Sequence, residues 1–270
     1  MRTANGTGDP PLAAPPRALR RALDYWPWLL VAVAWMLALL ATWSHQRYLI
    51  NHDYLLEESG LPWLAALLLF LACWQVMTAA MMLPSSLPML SLLVRASRQE
   101  QHPQQAVAAF LAGYAVVWTA FAVAAFLGDT LIHQLVNGWP WLARHPWMIG
   151  ATTFALAGAF QFSPLKLRCL KVCRSPLGFF RRFYQRGVGP AWRLGLRHGQ
   201  FCLGCCWALM LVMFGIGVGS VVWMAALAGV MVIEKVVPGG QWLRPVVGVL
   251  LFGLAGVWLL HPSWLWELSA

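Results

Sequence analysis

Long apolar runs separated by short polar stretches recur along the chain from about residue 25 onward. Each run approaches the roughly 20 residues that an α-helix needs to cross a bilayer. Seven such runs occur, at about 25–43, 61–83, 105–127, 146–162, 200–216, 220–236 and 245–260. The fourth, fifth and sixth runs are short. The pattern predicts an all-α fold, that of a polytopic helical membrane protein with about seven transmembrane helices.

Composition supports a membrane protein rather than a soluble domain with one anchor. The chain is 60% hydrophobic and only 10% charged, whereas a soluble domain carries about 25% charged residues. Its 17 tryptophans are typical of the aromatic belts at membrane interfaces. The net charge of +10 is explained by cytosolic Lys and Arg and by contact with anionic lipid. We therefore expect membrane lipids as partners and no nucleic acid.

The positions of the basic residues predict the orientation. Residues 1–22 are rich in Pro, Ala, Gly and Arg and are predicted to be a disordered tail, followed by a single helical membrane domain over 23–265. Lys and Arg concentrate in cytosolic loops, so the N-terminus is predicted to be cytosolic and the C-terminus outside. The loop 163–199 is also predicted to be cytosolic, because it contains no acidic residue and nine basic ones: Lys166, Arg168, Lys171, Arg174, Arg181, Arg182, Arg186, Arg193 and Arg197.

The same basic loop has an amphipathic pattern. Leucine, valine and phenylalanine alternate with the basic residues over its first half. This is typical of an amphipathic segment lying on the inner leaflet. Ser175-Pro176 resembles a helix start, with serine as the N-cap and proline at the first helical position.

Most of the cysteines fall into two groups, and a histidine precedes the second group. These residues are Cys169 and Cys173, then His198, Cys202, Cys205 and Cys206. Residues three or four apart share a face of a helix, so the second group is predicted to line one side of the start of a helix. Thiolate and imidazole together form a soft ligand set that suits Cu(I) or Zn(II).

The predicted topology brings further soft ligands to the same depth of the membrane. The second run ends, and the fifth begins, at the cytosolic face. The additional metal-ligand candidates are Met77, Met81, Met82, Met210 and Glu234. Thioether together with thiolate favours Cu(I), with zinc as the alternative. Two competing interpretations stay open, since the methionines would also serve as packing residues and Glu234-Lys235 would also suit an interfacial pair.

Two other classes of function remain open. One is a membrane oxidoreductase, in which Cys205-Cys206 or Cys169 and Cys173 exchange electrons with a quinone or a partner thiol. The other is a structural subunit of a larger membrane complex. The sequence contains no Walker loop, G-x-S-x-G, H-E-x-x-H or dinucleotide fingerprint, so no catalytic residue is predicted.

Several stretches resemble a bacterial family of unknown function that is described as predicted metal-binding integral membrane proteins. The matching stretches are 81–84, 167–179, 187–210 and 234–235, and the resemblance extends over about 60–260. It implies metal binding in a helical domain of the bacterial inner membrane, with the two cysteine groups and His198 as ligands. We therefore expect a role in metal acquisition, delivery or transport, with a metallochaperone or metalloenzyme complex as partner.

Overall fold

The computed structural model describes residues 17–43, 60–145, 147–216 and 220–260. Within these ranges the chain is helical and contains no strand, which confirms the all-α prediction. In chain order the helices are α1 (Arg17–Trp43), α2 (Trp63–Met81), α3 (Leu83–Ser97), α4 (Pro103–Gly138), α5 (Pro140–Ala143), α6 (Trp147–Gln161), α7 (Pro164–Cys173), α8 (Pro176–Phe183), α9 (Val188–Ile216), α10 (Val221–Val236) and α11 (Leu243–Leu260).

Five helices of the described part are long and apolar enough to cross a membrane. They correspond to Tyr25–Trp43, Trp63–Met81, Pro103–Gly138, Val188–Met213 and Gly240–Leu260. The fourth and sixth predicted spans coincide with α6 and α10, which have only 15 and 16 residues. Since a spanning helix needs roughly 20 residues, the predicted count of seven is not confirmed.

The N-terminal helix begins earlier than the hydropathy pattern indicates. α1 starts at Arg17, within the tail that was predicted to be disordered over 1–22, because the Arg, Ala and Leu residues that precede the apolar run are strong helix formers. Residues 1–16, most of the first predicted loop and the end of the predicted domain lie outside the described residues.

The basic loop forms two short helices and the first turns of a third. α7 starts at Pro164, and the Ser163 hydroxyl accepts a hydrogen bond from the Lys166 N–H at 3.1 Å. α8 starts at Pro176, where the sequence predicted a helix start, although the Ser175 side chain makes no capping hydrogen bond.

The helix that carries the second cysteine group also begins earlier than predicted. α9 runs over 29 residues from Val188, whereas the apolar run begins at about residue 200. Arg193 and Arg197 interrupt the hydropathy pattern but not the backbone hydrogen bonds of a helix. The cysteines therefore lie in the middle of α9 rather than in its first turn.

α9 packs most extensively against α4, and glycines allow the two backbones to approach closely. A Cβ atom at Gly195 would lie 2.0 Å from the carbonyl oxygen of Phe110, and one at Gly113 would lie 2.5 Å from that of Trp192. Small residues permit such crossings between apolar helices. This crossing brings Tyr114 of α4 against the cysteine-bearing part of α9.

Candidate metal centre

Four cysteine sulfurs form a continuous row between α7 and α9, which we call the sulfur row. The Cys205 Sγ lies 3.4 Å from the Cys206 Sγ and 3.9 Å from the Cys173 Sγ. The Cys202 and Cys206 side chains, one helical turn apart on α9, interact with each other. The order along the row is therefore Cys202, Cys206, Cys205 and Cys173. The structure thus brings together four of the predicted ligands from both cysteine groups.

The helix spacing and one glycine explain how the row is built. Cys202, Cys205 and Cys206 share one face of α9, and the Cys205 thiol donates to the Cys202 carbonyl oxygen at 3.1 Å. α7 packs on this face at Gly204, where an added Cβ would lie only 2.6 Å from the Cys169 Sγ. Any side chain at Gly204 would therefore displace the Cys169 thiol.

Cys169 lies one helical turn before Cys173 on α7 and is buried against α9. Burial raises the pKa of the Cys169 thiol above its ordinary value, because a buried environment disfavours the charged thiolate. At neutral pH this cysteine is therefore a protonated thiol packed beside the sulfur row.

Cys202 forms the inner, fully buried end of the sulfur row, and polar groups from three other helices surround it. The Lys235 Nζ donates to the Cys202 Sγ at 3.1 Å and to the Ser85 Oγ at 3.1 Å. The Tyr114 hydroxyl lies 3.1 Å from the same sulfur and accepts a hydrogen bond from the Ser86 Oγ at 3.4 Å. These side chains are all buried. Cys202 therefore has a cation and a hydroxyl within hydrogen-bonding distance.

Glu234, a predicted ligand, forms a buried ion pair in the structure. Its Oε2 lies 2.7 Å from the Lys166 Nζ, and the two side chains are 1% and 0% exposed. The Arg174 guanidinium donates to the backbone oxygens of Glu234 and Val237 at the end of α10. The second carboxylate oxygen, Oε1, makes no hydrogen bond within the described part of the chain.

His198 lies in an aromatic environment rather than in the sulfur row. Its ring stacks on Tyr114 at 5.8 Å between centroids and contacts the rings of Phe110 and Phe179 at 5.7 and 5.8 Å. Its Nε2 is buried and has no hydrogen-bond partner among the described residues. His198 and Cys202 are therefore connected through Tyr114, which touches both.

The predicted methionine ligands are buried in the same hydrophobic cluster as the cysteines. Met77 and Met81 lie on α2, Met82 follows its end, and Met210 lies one turn beyond Cys206 on α9. α4 and α10 pack against both α2 and α9 and so connect the two helices. The thioethers therefore belong to the apolar surroundings of the sulfur row.

Sequence reasoning missed three site residues: Tyr114, Lys166 and Lys235. Lys235 carried a usable signal, because adjacent helical residues point in different directions and Glu234-Lys235 therefore needs two separate partners. Tyr114 is a single polar residue in an apolar run and gave no such signal. No three His, Cys, Asp or Glu side chains of the described residues are arranged as a ready metal site.

The fold and the site define an all-α protein with long apolar helices and a buried row of thiols. The chain belongs to the PpoB2 family, described as copper chaperones, whose family model matches residues 71–259. The match includes both cysteine groups and supports a copper-related function. No curated protein and no solved structure matches the chain.

Proposed function

We propose that this protein is a membrane-embedded copper chaperone that holds Cu(I) on the thiols between α7 and α9. The sulfur row is the observation that carries this proposal. Membership of a copper chaperone family supports the choice of metal. The protein would acquire the ion and pass it to another protein, such as a second chaperone or a copper enzyme.

The sulfur distances suit a shared metal ion. A metal–thiolate bond is about 2.3 Å long, so two sulfurs closer than about 4.6 Å can bind the same ion. The Cys205–Cys206 and Cys173–Cys205 distances, 3.4 and 3.9 Å, both meet this condition. Each sulfur of the row lies next to only one or two others, an arrangement that suits the few soft ligands of Cu(I) better than the tetrahedron of four ligands around zinc.

The buried surroundings of the sulfurs support metal holding. The methionines around the row are soft and polarisable. Met210 lies one helical turn after Cys206, and Met82 is buried in the same hydrophobic cluster as the cysteines. They supply candidate thioether ligands if the ion takes a third sulfur. His198 Nε2, which is unpartnered among the described side chains, is a further candidate ligand.

A redox function is the second candidate, and the Cys173–Cys205 approach at 3.9 Å between two helices favours it. A disulfide requires the sulfurs to come within about 2.05 Å, which a small movement of α7 would allow. Counting thiols under oxidising and reducing conditions separates this function from copper holding.

We expect the full-length protein, purified under reducing conditions and supplied with Cu(I), to bind one copper ion per chain. Cys205→Ser should weaken binding by more than roughly tenfold, because the loss of outer-shell groups alone has an effect of that size. Cys205 is the test position because its sulfur contacts two others in the row. Elemental analysis and chelator competition measure the two quantities.

Cys73→Ser is the matched control, since Cys73 lies on α2, outside the sulfur row, and its loss should leave copper binding unchanged. Equal copper content in Cys205→Ser and the wild type would refute ligation by the row. A four-coordinate zinc X-ray absorption spectrum after copper-replete growth would refute copper as the metal. Metal-free protein with a reversible disulfide would favour the redox function.

We further propose that the protein lies in the bacterial inner membrane with its N-terminus in the cytosol. Five helices are long and apolar enough to span. The N-terminus and the basic segment of α7 and α8 both face the cytosol, as their charge favours, when the shorter α6 and α10 cross as well. Seven spans put the termini on opposite sides.

Labelling of single cysteines introduced at positions 10 and 268, in a chain whose six native cysteines are replaced by serine, tests this topology. A membrane-impermeant maleimide applied to intact cells should label position 268 and spare position 10. Labelling of both positions would mean that the number of spans is even.

A further inference from the structure

The sulfur row differs in solvent exposure from one end to the other. Cys202, Cys206 and Cys205 are 0%, 1% and 1% exposed, whereas Cys173 is only partly buried. Cys173 is the last residue of α7. Of the four sulfurs in the row, Cys173 is therefore the one that a donor or acceptor molecule reaches first.

We propose that Cys173 is the exchange ligand of this protein, through which Cu(I) enters and leaves, while Cys205 and Cys206 hold the ion. This inference rests on the proposed copper function and adds a route to it. The row would then act as a path for ligand exchange, in which the ion moves from one sulfur to the next.

The distances allow each step without releasing the ion. The Cys173–Cys205 and Cys205–Cys206 separations are 3.9 and 3.4 Å, both shorter than twice a metal–thiolate bond of about 2.3 Å. Copper can therefore form its next bond before the previous bond breaks. This avoids a free ion in an apolar environment, where an unpaired charge is strongly disfavoured.

Each step balances without a change of oxidation state. In the first step a copper–sulfur bond forms at Cys173, one of two bonds to donor thiolates breaks, and the Cys173 thiol proton passes to the released donor thiolate. In the second step a bond forms at Cys205, the second donor bond breaks, and the Cys205 thiol proton passes to that donor thiolate. In the third step a bond forms at Cys206, the bond at Cys173 breaks, and the Cys206 thiol proton passes by way of the Cys205 sulfur to the Cys173 sulfur. Copper remains Cu(I) throughout.

The other candidate entry points are closed. At the inner end, Lys235 and Tyr114 occupy the space around the Cys202 sulfur. On α7, the Cys169 thiol is buried against Gly204.

Cys173→Ser tests the route by separating rate from capacity. We expect the variant, loaded with Cu(I) under reducing conditions, to retain about one copper per chain. Transfer of that copper to bathocuproine disulfonate should be at least about tenfold slower than in the wild type, and uptake from Cu(I)–glutathione should be slowed similarly. Cys73→Ser should show wild-type rates, because Cys73 lies on α2 outside the row.

The outcomes distinguish the route from the underlying function. Wild-type transfer rates in Cys173→Ser would overturn the route while leaving copper binding intact. Loss of copper from Cys173→Ser would show that Cys173 holds the ion and would also overturn its exchange role. A wild-type chain that binds no copper would overturn the proposed function and the route with it.

A measurement on the unmutated protein tests the same route independently of folding defects. N-ethylmaleimide at limiting concentration, followed by peptide mapping, should modify Cys173 at least about ten times faster than Cys205 or Cys206. Prior loading with Cu(I) should protect Cys205 and Cys206 and leave Cys173 reactive. Faster modification of Cys205 or Cys206 than of Cys173 would contradict the proposed direction of access.

Discussion

Replacing Glu234 with leucine is expected to destabilise the protein by about 3–5 kcal/mol, because the substitution leaves the Lys166 ammonium buried without its anion. The two side chains are 1% and 0% exposed and lie 2.7 Å apart. An isolated charge at that depth is far less stable than a paired one. Thermal unfolding of the purified protein in detergent measures the change.

The double variant Lys166→Met/Glu234→Leu is the matched control. It removes both charges and keeps similar side-chain volumes, so most of the lost stability should return, as it does when buried ion pairs are replaced by apolar residues. The double variant should also keep its copper. Restored stability with lost copper would instead identify Glu234 as a ligand, and an unrestored stability would contradict the pairing.

The apolar runs predicted most of the helices because a bilayer-sized helix leaves a long, unambiguous hydropathy signal. The boundaries were less well predicted where the signal stops before the helix does. In α9 the residues from Val188 onward are helical although Arg193 and Arg197 lower the hydropathy. A charged residue ends an apolar run without disturbing backbone hydrogen bonds, so hydropathy alone does not locate such a helix start.

The candidate site was predictable only where its residues lie on one helix. The spacing of Cys202, Cys205 and Cys206 indicated a shared face, and the structure shows these side chains in contact along α9. The approach of Cys173 depends on how α7 packs at Gly204. That packing is a tertiary contact, which leaves no periodic signal in the sequence.

Both buried lysines lie in sequence contexts that are typical of exposed lysines, so their burial was not predicted. Lys166 belongs to a segment with eight other basic residues, which typically faces anionic lipid, and Lys235 ends an apolar helix, where lysine often extends to the interface. Both are instead buried. Each has a specific partner on another helix, Glu234 for Lys166 and Cys202 for Lys235.

The proposed copper function accounts for the lysine beside the thiols. Cu(I) bound by two thiolates would have a net charge of −1, which is unfavourable in an apolar environment unless a cation lies nearby. Lys235 would supply that cation, since its Nζ lies 3.1 Å from the Cys202 Sγ. The Lys166–Glu234 pair is already neutral by itself, so it leaves the role of counter-cation to Lys235.

Lys235→Met is therefore expected to weaken Cu(I) binding by about 10–100-fold, the usual effect of losing a group that supports a metal ligand from the outer shell. Methionine fills a similar volume and adds no charge, so the fold should persist. Chelator competition measures the affinity, and far-ultraviolet circular dichroism checks the helices. Lys171→Met is the matched control, because Lys171 is exposed on α7 and its loss should change the affinity less than about twofold. Equal affinities in both variants and the wild type would show that the site needs no counter-cation at Lys235.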